Sequence, residues 1–179
     1  MNTNGIIEVI CGPMFSGKTE ELIRRLVRAQ IAKKTVHIFK HSTDNRYSED
    51  YIVSHNKNRI KCHSLNDTNQ IMDLSDNIDI IGIDEAQFFD DSIIDVSNNL
   101  AKEGKRIIVA GLDRDYKAIP FGPMANLLTH ADYITKLNAI CMVCGNQASF
   151  SQRLTKDKAQ ILVGESEKYE ARCRNCYES

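Results

Sequence analysis

A chain of 179 residues with 23 Lys and Arg against 24 Asp and Glu lacks the excess positive charge of proteins that bind a phosphodiester backbone. Hydrophobic residues make up 42% of it, an ordinary globular composition, and no apolar run approaches the roughly 18 residues of a membrane-spanning helix. The first residues lack the basic and apolar regions of a signal peptide. These features predict a cytoplasmic protein that acts on small molecules, without a nucleic-acid or membrane partner.

Short β-branched segments alternate along the chain with longer segments of helical spacing. Strands are predicted over five segments, residues 6–11, 36–39, 78–83, 107–112 and 133–137. Helical spacing of apolar residues follows the first strand and precedes the fourth. This alternation predicts an α/β fold with a mainly parallel sheet. Residues 42–61 show few helix or strand signals and are too long for a simple connection, so we expect them to be disordered or to form a functional loop.

A phosphate-binding motif lies between the first predicted strand and the helix after it. Residues 12–19, Gly-Pro-Met-Phe-Ser-Gly-Lys-Thr, match G-x-x-x-x-G-K-[ST]. The glycines would let backbone N–H groups converge on phosphate oxygens, Lys18 would bridge the β- and γ-phosphates, and the Thr19 hydroxyl would bind magnesium. A chance match in an ordinary glycine turn is the alternative. The strand before the motif and the helix after it favour a P-loop.

Two carboxylates follow the third predicted strand, which we expect to lie beside the phosphate loop. Asp84 is the candidate magnesium ligand, and Glu85 is the candidate general base. In a kinase this glutamate would take the proton of the acceptor hydroxyl, and in an NTP hydrolase it would activate water. The alternative is that Glu85 is a solvated strand end.

Four cysteines near the end of the chain form two C-x-x-C pairs, Cys141 with Cys144 and Cys173 with Cys176. Four thiolates could close a tetrahedral, structural zinc site, whereas redox dithiols would need a thioredoxin-like context that the sequence lacks. Zinc would clamp the segment between the pairs as a loop that could cover a planar ligand. We therefore predict a P-loop nucleotide-binding domain over residues 1–138 and a zinc-binding domain over residues 139–179.

The order of these motifs resembles that of the zinc-containing thymidine kinases, over nearly the whole chain. The shared segments are residues 12–19, Asp44-Asn-Arg-Tyr47, Ile83-Asp-Glu-Ala-Gln-Phe-Phe89, Gly111-Leu-Asp113, Pro120-Phe-Gly122 and the two cysteine pairs. The resemblance implies magnesium-dependent transfer of the γ-phosphate of ATP to the 5′-hydroxyl of thymidine or deoxyuridine. It also implies one structural zinc per chain, a homotetramer, and feedback inhibition by thymidine triphosphate (dTTP).

The resemblance further assigns roles to individual residues, with Glu85 as the proton acceptor. The ATP and phosphate site would contain Gly12, Pro13, Met14, Phe15, Ser16, Gly17, Lys18, Thr19, Asp44, Arg46, Asp84 and Gln87. The nucleoside site would contain Met14, Phe88, Leu112, Tyr116, Phe121, Gln160, Ile161, Leu162, Val163, Gly164 and Tyr169. Without the resemblance, Phe88 and Phe121 would be expected to be core residues.

Two other functions fit parts of the pattern. A P-loop NTPase with an accessory zinc ribbon, acting on nucleic acid, would be expected to have a basic groove and sensor elements in a longer chain. A non-enzymatic zinc-ribbon adaptor would not need the intact Lys18, Thr19, Asp84 and Glu85. Both fit less well than a nucleoside kinase.

Overall fold

A computed structural model describes residues 5–43, 51–53, 59–155 and 167–178 of the chain. The larger part is a seven-stranded sheet of β1 (Ile6–Cys11), β2 (Val36–His41), β3 (Tyr51–Val53), β4 (Arg59–Leu65), β5 (Ile80–Asp84), β6 (Arg106–Gly111) and β7 (Tyr133–Lys136). Its helices are α1 (Lys18–Ile31), α2 (Gln70–Asp73), α3 (Ser92–Lys102) and α4 (Met124–His130). None of the helices in the described ranges is long and apolar enough to cross a membrane. The predicted α/β class is confirmed.

The strand order across the sheet is β3, β4, β2, β5, β6, β1, β7, and every neighbouring pair except β3 with β4 is parallel. Because parallel strands share their direction, the loops after β1, β2, β5 and β6 meet at one edge of the sheet. The acidic strand β5 is not the direct neighbour of β1, since β6 lies between them. Crossover connections allow a later strand to insert, so chain order does not determine sheet order.

The polar stretch 42–61, expected to lack regular structure, contains β3 and the start of β4. In β4, Ile60 and Cys62 are buried, whereas Lys61 is exposed and His63 is half-buried. This alternation is the period-two pattern of a strand with one buried face, and the polar residues around it obscured the signal. Residues 44–50 and 54–58 lie outside the described part of the chain.

Alternate residues of the central strands build two hydrophobic layers, one on each face of the sheet. On one face, Leu22 and Leu26 of α1 pack against Ile38 of β2, and on the other, α3 and α4 cover a second apolar cluster. Gly82 of β5 lets α1 approach closely, because a Cβ there would lie 2.7 Å from the Leu26 Cδ1 atom. This close packing fixes the amino terminus of α1 against the sheet, where the phosphate loop ends.

The final segment forms two small antiparallel sheets, β8 (Ala139–Ile140) with β9 (Gln147–Ala148) and β10 (Phe150–Arg153) with β11 (Tyr169–Arg172). Three alanines and the cysteines Cys141 and Cys173 make up its buried cluster, with Cys176 packed against it. So little apolar surface is a weak basis for stability, and small modules of this kind depend on a metal or on disulfides. The strand pairing changes at β8, but the division at residue 139 stays a prediction.

Candidate active site

The loop between β1 and α1 adopts the backbone conformations that its glycines allow. Gly12 has a φ angle of 148°, and Gly17, which caps α1, has a φ angle of 80°. A Cβ on Gly12 would lie 2.4 Å from the Leu137 carbonyl oxygen, so a larger residue would collide with the chain after β7. Phe15 also has a positive φ angle, 63°, and its side chain is exposed. Left-handed residues at a helix amino terminus are typical of loops whose N–H groups bind an anion.

Lys18 lies against the loop that precedes it. Its Nζ donates to the Pro13 carbonyl oxygen at 2.7 Å, and the Ser16 hydroxyl donates to the same oxygen at 2.8 Å. Only 9% of Lys18 is exposed. The fold therefore holds a buried positive charge where the loop N–H groups and the helix terminus already favour phosphate.

Thr19 and Asp84 are brought together although their segments are far apart in sequence. The Thr19 hydroxyl donates to the Asp84 carboxylate, with distances of 3.0 Å to Oδ2 and 3.3 Å to Oδ1. Burial, and next the charge of the nearby Glu85, raise the pKa of Asp84 to about 7. Hydroxyl and carboxylate oxygens are ligands that suit magnesium, and a bound cation would favour the ionised carboxylate. The residues present therefore fit a magnesium site.

Glu85 stands where β5 ends, with a φ angle of 50° that turns the chain into the 3₁₀ helix Ala86–Phe88. Its Oε2 accepts a hydrogen bond from Gln87 Nε2 at 2.5 Å, while Gln87 Oε1 accepts one from the Leu112 N–H at 2.9 Å. Gln87 is 3% exposed, so its amide is a fixed link between the carboxylate and the loop after β6. This explains why glutamine, with both a donor and an acceptor, suits the position.

Gly111 and Gly122, from two of the motifs shared with the thymidine kinases, make room for Gln87. A Cβ on Gly111 would lie 2.9 Å from Gln87 Oε1, and a Cβ on Gly122 would lie 2.3 Å from the Gln87 carbonyl oxygen. Gly122 also has a φ angle of 51°. Gly111 and Gly122 therefore allow close packing around one buried residue, the first against its side-chain amide and the second against its backbone carbonyl.

The residues assigned to the nucleoside lie on several different segments. The Phe88 and Phe121 rings meet edge to face with their centroids 5.9 Å apart, and Phe121 is the more buried of the two. Leu112 follows β6 and is tied to Gln87. Met14 lies in the phosphate loop, and its N–H donates to the Ser151 hydroxyl of β10 at 3.0 Å. That hydrogen bond connects the phosphate loop with the cysteine-containing segment.

Arg153 contacts both Tyr116 and Tyr169, so the two tyrosines lie near each other. The guanidinium carbon lies 3.7 Å from the centroid of the Tyr116 ring and 5.1 Å from that of the Tyr169 ring. The Arg153 Nε lies 3.2 Å from the Tyr169 hydroxyl. Other expected site residues, Asp44, Arg46, Gln160, Ile161, Leu162, Val163 and Gly164, lie outside the described residues.

The four paired cysteines form one cluster, in which all sulfur atoms lie within 4.8 Å of one another. Sulfur atoms bound to a tetrahedral zinc at about 2.3 Å are about 3.8 Å apart, and Cys144 Sγ lies 3.6 Å from Cys173 Sγ. The chain turns tightly after each pair, with the Gly145 N–H bonded to the Cys141 carbonyl at 2.9 Å. The backbone N–H of Cys173 contributes most to lowering the pKa of Cys141, to about 6, whereas hydrogen bonds with the Cys173 and Cys144 thiols raise the pKa of Cys176 to about 12, so the cluster shares its protons unequally. These residues fit zinc.

Sequence reasoning gave no role to Lys40 or Arg153. Lys40 is 4% exposed, lies one residue before the end of β2 on the face that carries α1, and is the Cα partner of Asp84 in the neighbouring strand. A lysine that closes an apolar strand of a parallel sheet was the available signal, because ligands bind at that edge. No comparable signal marks Arg153, whose contacts join segments that are distant in sequence.

Comparisons with known proteins agree with this geometry. The family model described as thymidine kinase matches residues 5–177. A thymidine kinase of Rhodothermus sp. is 53% identical, over 97% of this chain and 82% of that protein. Thymidine kinases of Bacteroides fragilis and Porphyromonas gingivalis are 54% and 50% identical, each over 97% of this chain and over 87% and 85% of their own lengths. The chain therefore belongs to the thymidine kinase family.

Proposed function

We propose that the protein transfers the γ-phosphate of ATP to the 5′-hydroxyl of thymidine or deoxyuridine, with Glu85 as the general base. The single observation that carries this proposal is the Thr19–Asp84 hydrogen bond, which joins the phosphate loop to the end of the strand that precedes Glu85. A phosphate-binding loop, a pair of magnesium-type ligands and a carboxylate thus lie at one edge of the sheet. Membership of the thymidine kinase family supports a nucleoside as the acceptor.

ATP is bound chiefly by the phosphate loop. The N–H groups at the start of α1 and the buried Lys18 ammonium bind the β- and γ-phosphates. Thr19 and Asp84 would hold magnesium, which supplies positive charge that neutralises the phosphate oxygens when it is bound with ATP. Asp44 and Arg46 complete the phosphate site in this proposal, on the family resemblance alone.

The transfer step needs a base close to the acceptor. The 5′-hydroxyl oxygen attacks the γ-phosphorus, the bond from that phosphorus to the β–γ bridging oxygen breaks, and ADP leaves. Glu85 accepts the hydroxyl proton, and the Gln87 hydrogen bond holds its carboxylate in one orientation. The Gln87 side chain also accepts a hydrogen bond from the Leu112 N–H. It therefore fixes the position of the Glu85 carboxylate relative to the loop after β6.

The nucleoside subsite is built from the loops around that base. Met14, Phe88, Leu112, Tyr116, Phe121 and Tyr169 contact the nucleoside in this proposal, and residues 160–164 supply backbone hydrogen bonds to the base. The T-shaped Phe88 and Phe121 pair supports an aromatic wall, since such pairs position a flat surface for a planar ligand.

Several further properties are proposed from the family resemblance. One structural zinc is held by the four cysteines, and the cluster geometry supports it. The chain forms a homotetramer in the cytoplasm, and dTTP inhibits it by feedback. The formal charge of −1 favours this kinase over an NTPase acting on nucleic acid.

Labelled ATP distinguishes the candidate functions. The purified protein is incubated with γ-labelled ATP and thymidine, and in parallel with ATP alone and with ATP and DNA. We expect label in thymidine monophosphate and little free phosphate. DNA-stimulated ATP hydrolysis without nucleoside phosphorylation would instead indicate the NTPase, and no turnover of either kind would indicate an adaptor.

A further inference from the structure

Arg153 is a buried cation at the end of β10, with only 7% of its surface exposed. Its Nη2 lies 2.5 Å and its Nε 3.2 Å from the Tyr169 hydroxyl. Its guanidinium plane lies over the Tyr116 ring, with the central carbon 3.7 Å from the centroid. A buried guanidinium group needs compensating contacts, and here two tyrosines provide a hydrogen-bond acceptor and an aromatic face.

The two tyrosines belong to different parts of the fold. Tyr116 lies in the loop after β6 of the large sheet, whereas Tyr169 begins β11 and is the Cα partner of Arg153 in β10. A second contact runs alongside, since the Tyr177 hydroxyl donates to the Tyr116 carbonyl oxygen at 2.6 Å. Arg153 therefore joins the small sheet to the loop after β6 through side chains that the proposed nucleoside subsite uses.

The same face of β10 also reaches the phosphate loop. Ser151 and Arg153 are two residues apart in a strand, so their side chains point to the same side, and both are buried. Ser151 accepts the Met14 N–H at 3.0 Å, while Arg153 contacts Tyr116 and Tyr169. One strand face thus aligns the phosphate loop with both tyrosines.

We infer that Arg153 is a positioning residue that holds Tyr116 and Tyr169 in register around the nucleoside, and so determines nucleoside affinity without touching ATP. The inference rests on the proposed nucleoside kinase function. Arginine suits the position because its planar guanidinium stacks on one ring while its N–H groups reach a second partner. Lysine keeps the charge but cannot make both contacts with one flat group.

Steady-state kinetics of the full chain test this inference with four variants, Arg153→Met, Arg153→Lys, Tyr169→Phe and Arg174→Met. We expect Arg153→Met to raise the KM for thymidine about tenfold, with the KM for ATP and kcat within about twofold of the parent. Arg153→Lys should recover only part of that loss. Arg174→Met is the matched control, since this exposed arginine also lies over an aromatic ring, 5.1 Å from the Phe150 centroid, and its KM values should not change.

A double variant tests whether Arg153 acts through its contact with Tyr169. Arg153→Met combined with Tyr169→Phe should cost less than the sum of the single changes, because both remove the same contact. An unchanged KM for thymidine in Arg153→Met would overturn the inference. Equal increases in the KM values for thymidine and ATP, together with loss of zinc, would also overturn it, because they would indicate a merely structural role. A parent protein that does not phosphorylate thymidine would refute the proposed function, and the inference with it.

Discussion

Replacing Gln87 with leucine removes two hydrogen bonds from one buried side chain of nearly the same size. The bond to Glu85 Oε2 is charge-assisted and short, at 2.5 Å, and such bonds contribute about 1.5–3 kcal/mol. The bond from the Leu112 N–H contributes about 1 kcal/mol, and its loss leaves a partly buried donor unsatisfied. We expect Gln87→Leu to lower the free energy of unfolding by about 2–4 kcal/mol.

The same change should also affect catalysis, separately from the loss of stability. Without the amide, Glu85 can rotate away from the acceptor hydroxyl, so we expect kcat to fall by about 10-fold to 100-fold at a temperature where the variant stays folded. Urea unfolding and transfer of label from ATP to thymidine measure the two effects. Asn98→Leu is a control, because that amide bonds to Ile94 and His130 and lies away from the phosphate loop. A Gln87→Leu enzyme with the parental kcat would refute the positioning role of Gln87.

Three further changes probe phosphate binding, metal binding and the buried carboxylate. Lys18→Ala should weaken both ATP binding and transfer, and unchanged ATP affinity in calorimetry would contradict the phosphate-loop assignment. Cys173→Ser should reduce bound zinc, as measured by elemental analysis, and should weaken thymidine binding while ATP still binds. The reason is that the small sheets have little apolar core of their own. Parental thymidine affinity in a zinc-free variant would show that zinc does not support the nucleoside subsite. Because the folded-state pKa of Asp84 is raised from 3.8 to about 7, ionising this group costs stability that grows as pH rises through that window. Without magnesium, Asp84→Asn should therefore have a higher free energy of unfolding than the parent at pH 8, but not at pH 4, as measured by urea unfolding. The same difference between variant and parent at both pH values would show that ionisation of Asp84 does not destabilise the protein.

The sequence predicted best those features whose residues lie close together in the chain. The phosphate loop follows from residues 12–19 alone, because its glycines, Lys18 and Thr19 act within one strand–turn–helix unit. The cysteine pairs were equally visible, since each is a local turn. The strand β4 was missed because only Ile60 and Cys62 form its apolar face, within a polar stretch.

Contacts between distant segments could not be predicted in the same way. The insertion of β6 between β1 and β5 depends on how crossovers pack, which no local pattern encodes. The family resemblance named Gln87 for the ATP site, but its hydrogen bonds to Glu85 and Leu112 became visible only in three dimensions. Likewise, nothing near Arg153 in the sequence indicates that it contacts Tyr116.

The most direct test of the central proposal is the rate at which Glu85→Gln transfers labelled phosphate from ATP to thymidine at saturating substrates. Glutamine keeps the size and hydrogen bonding of the side chain but removes the basic carboxylate. We expect kcat to fall by about 100-fold or more, with ATP affinity within about twofold of the parent. Glu20→Gln, a change of an exposed glutamate in the first turn of α1, is the matched control and should leave kcat unchanged. Near-parental turnover by Glu85→Gln would contradict the assignment of Glu85 as the base.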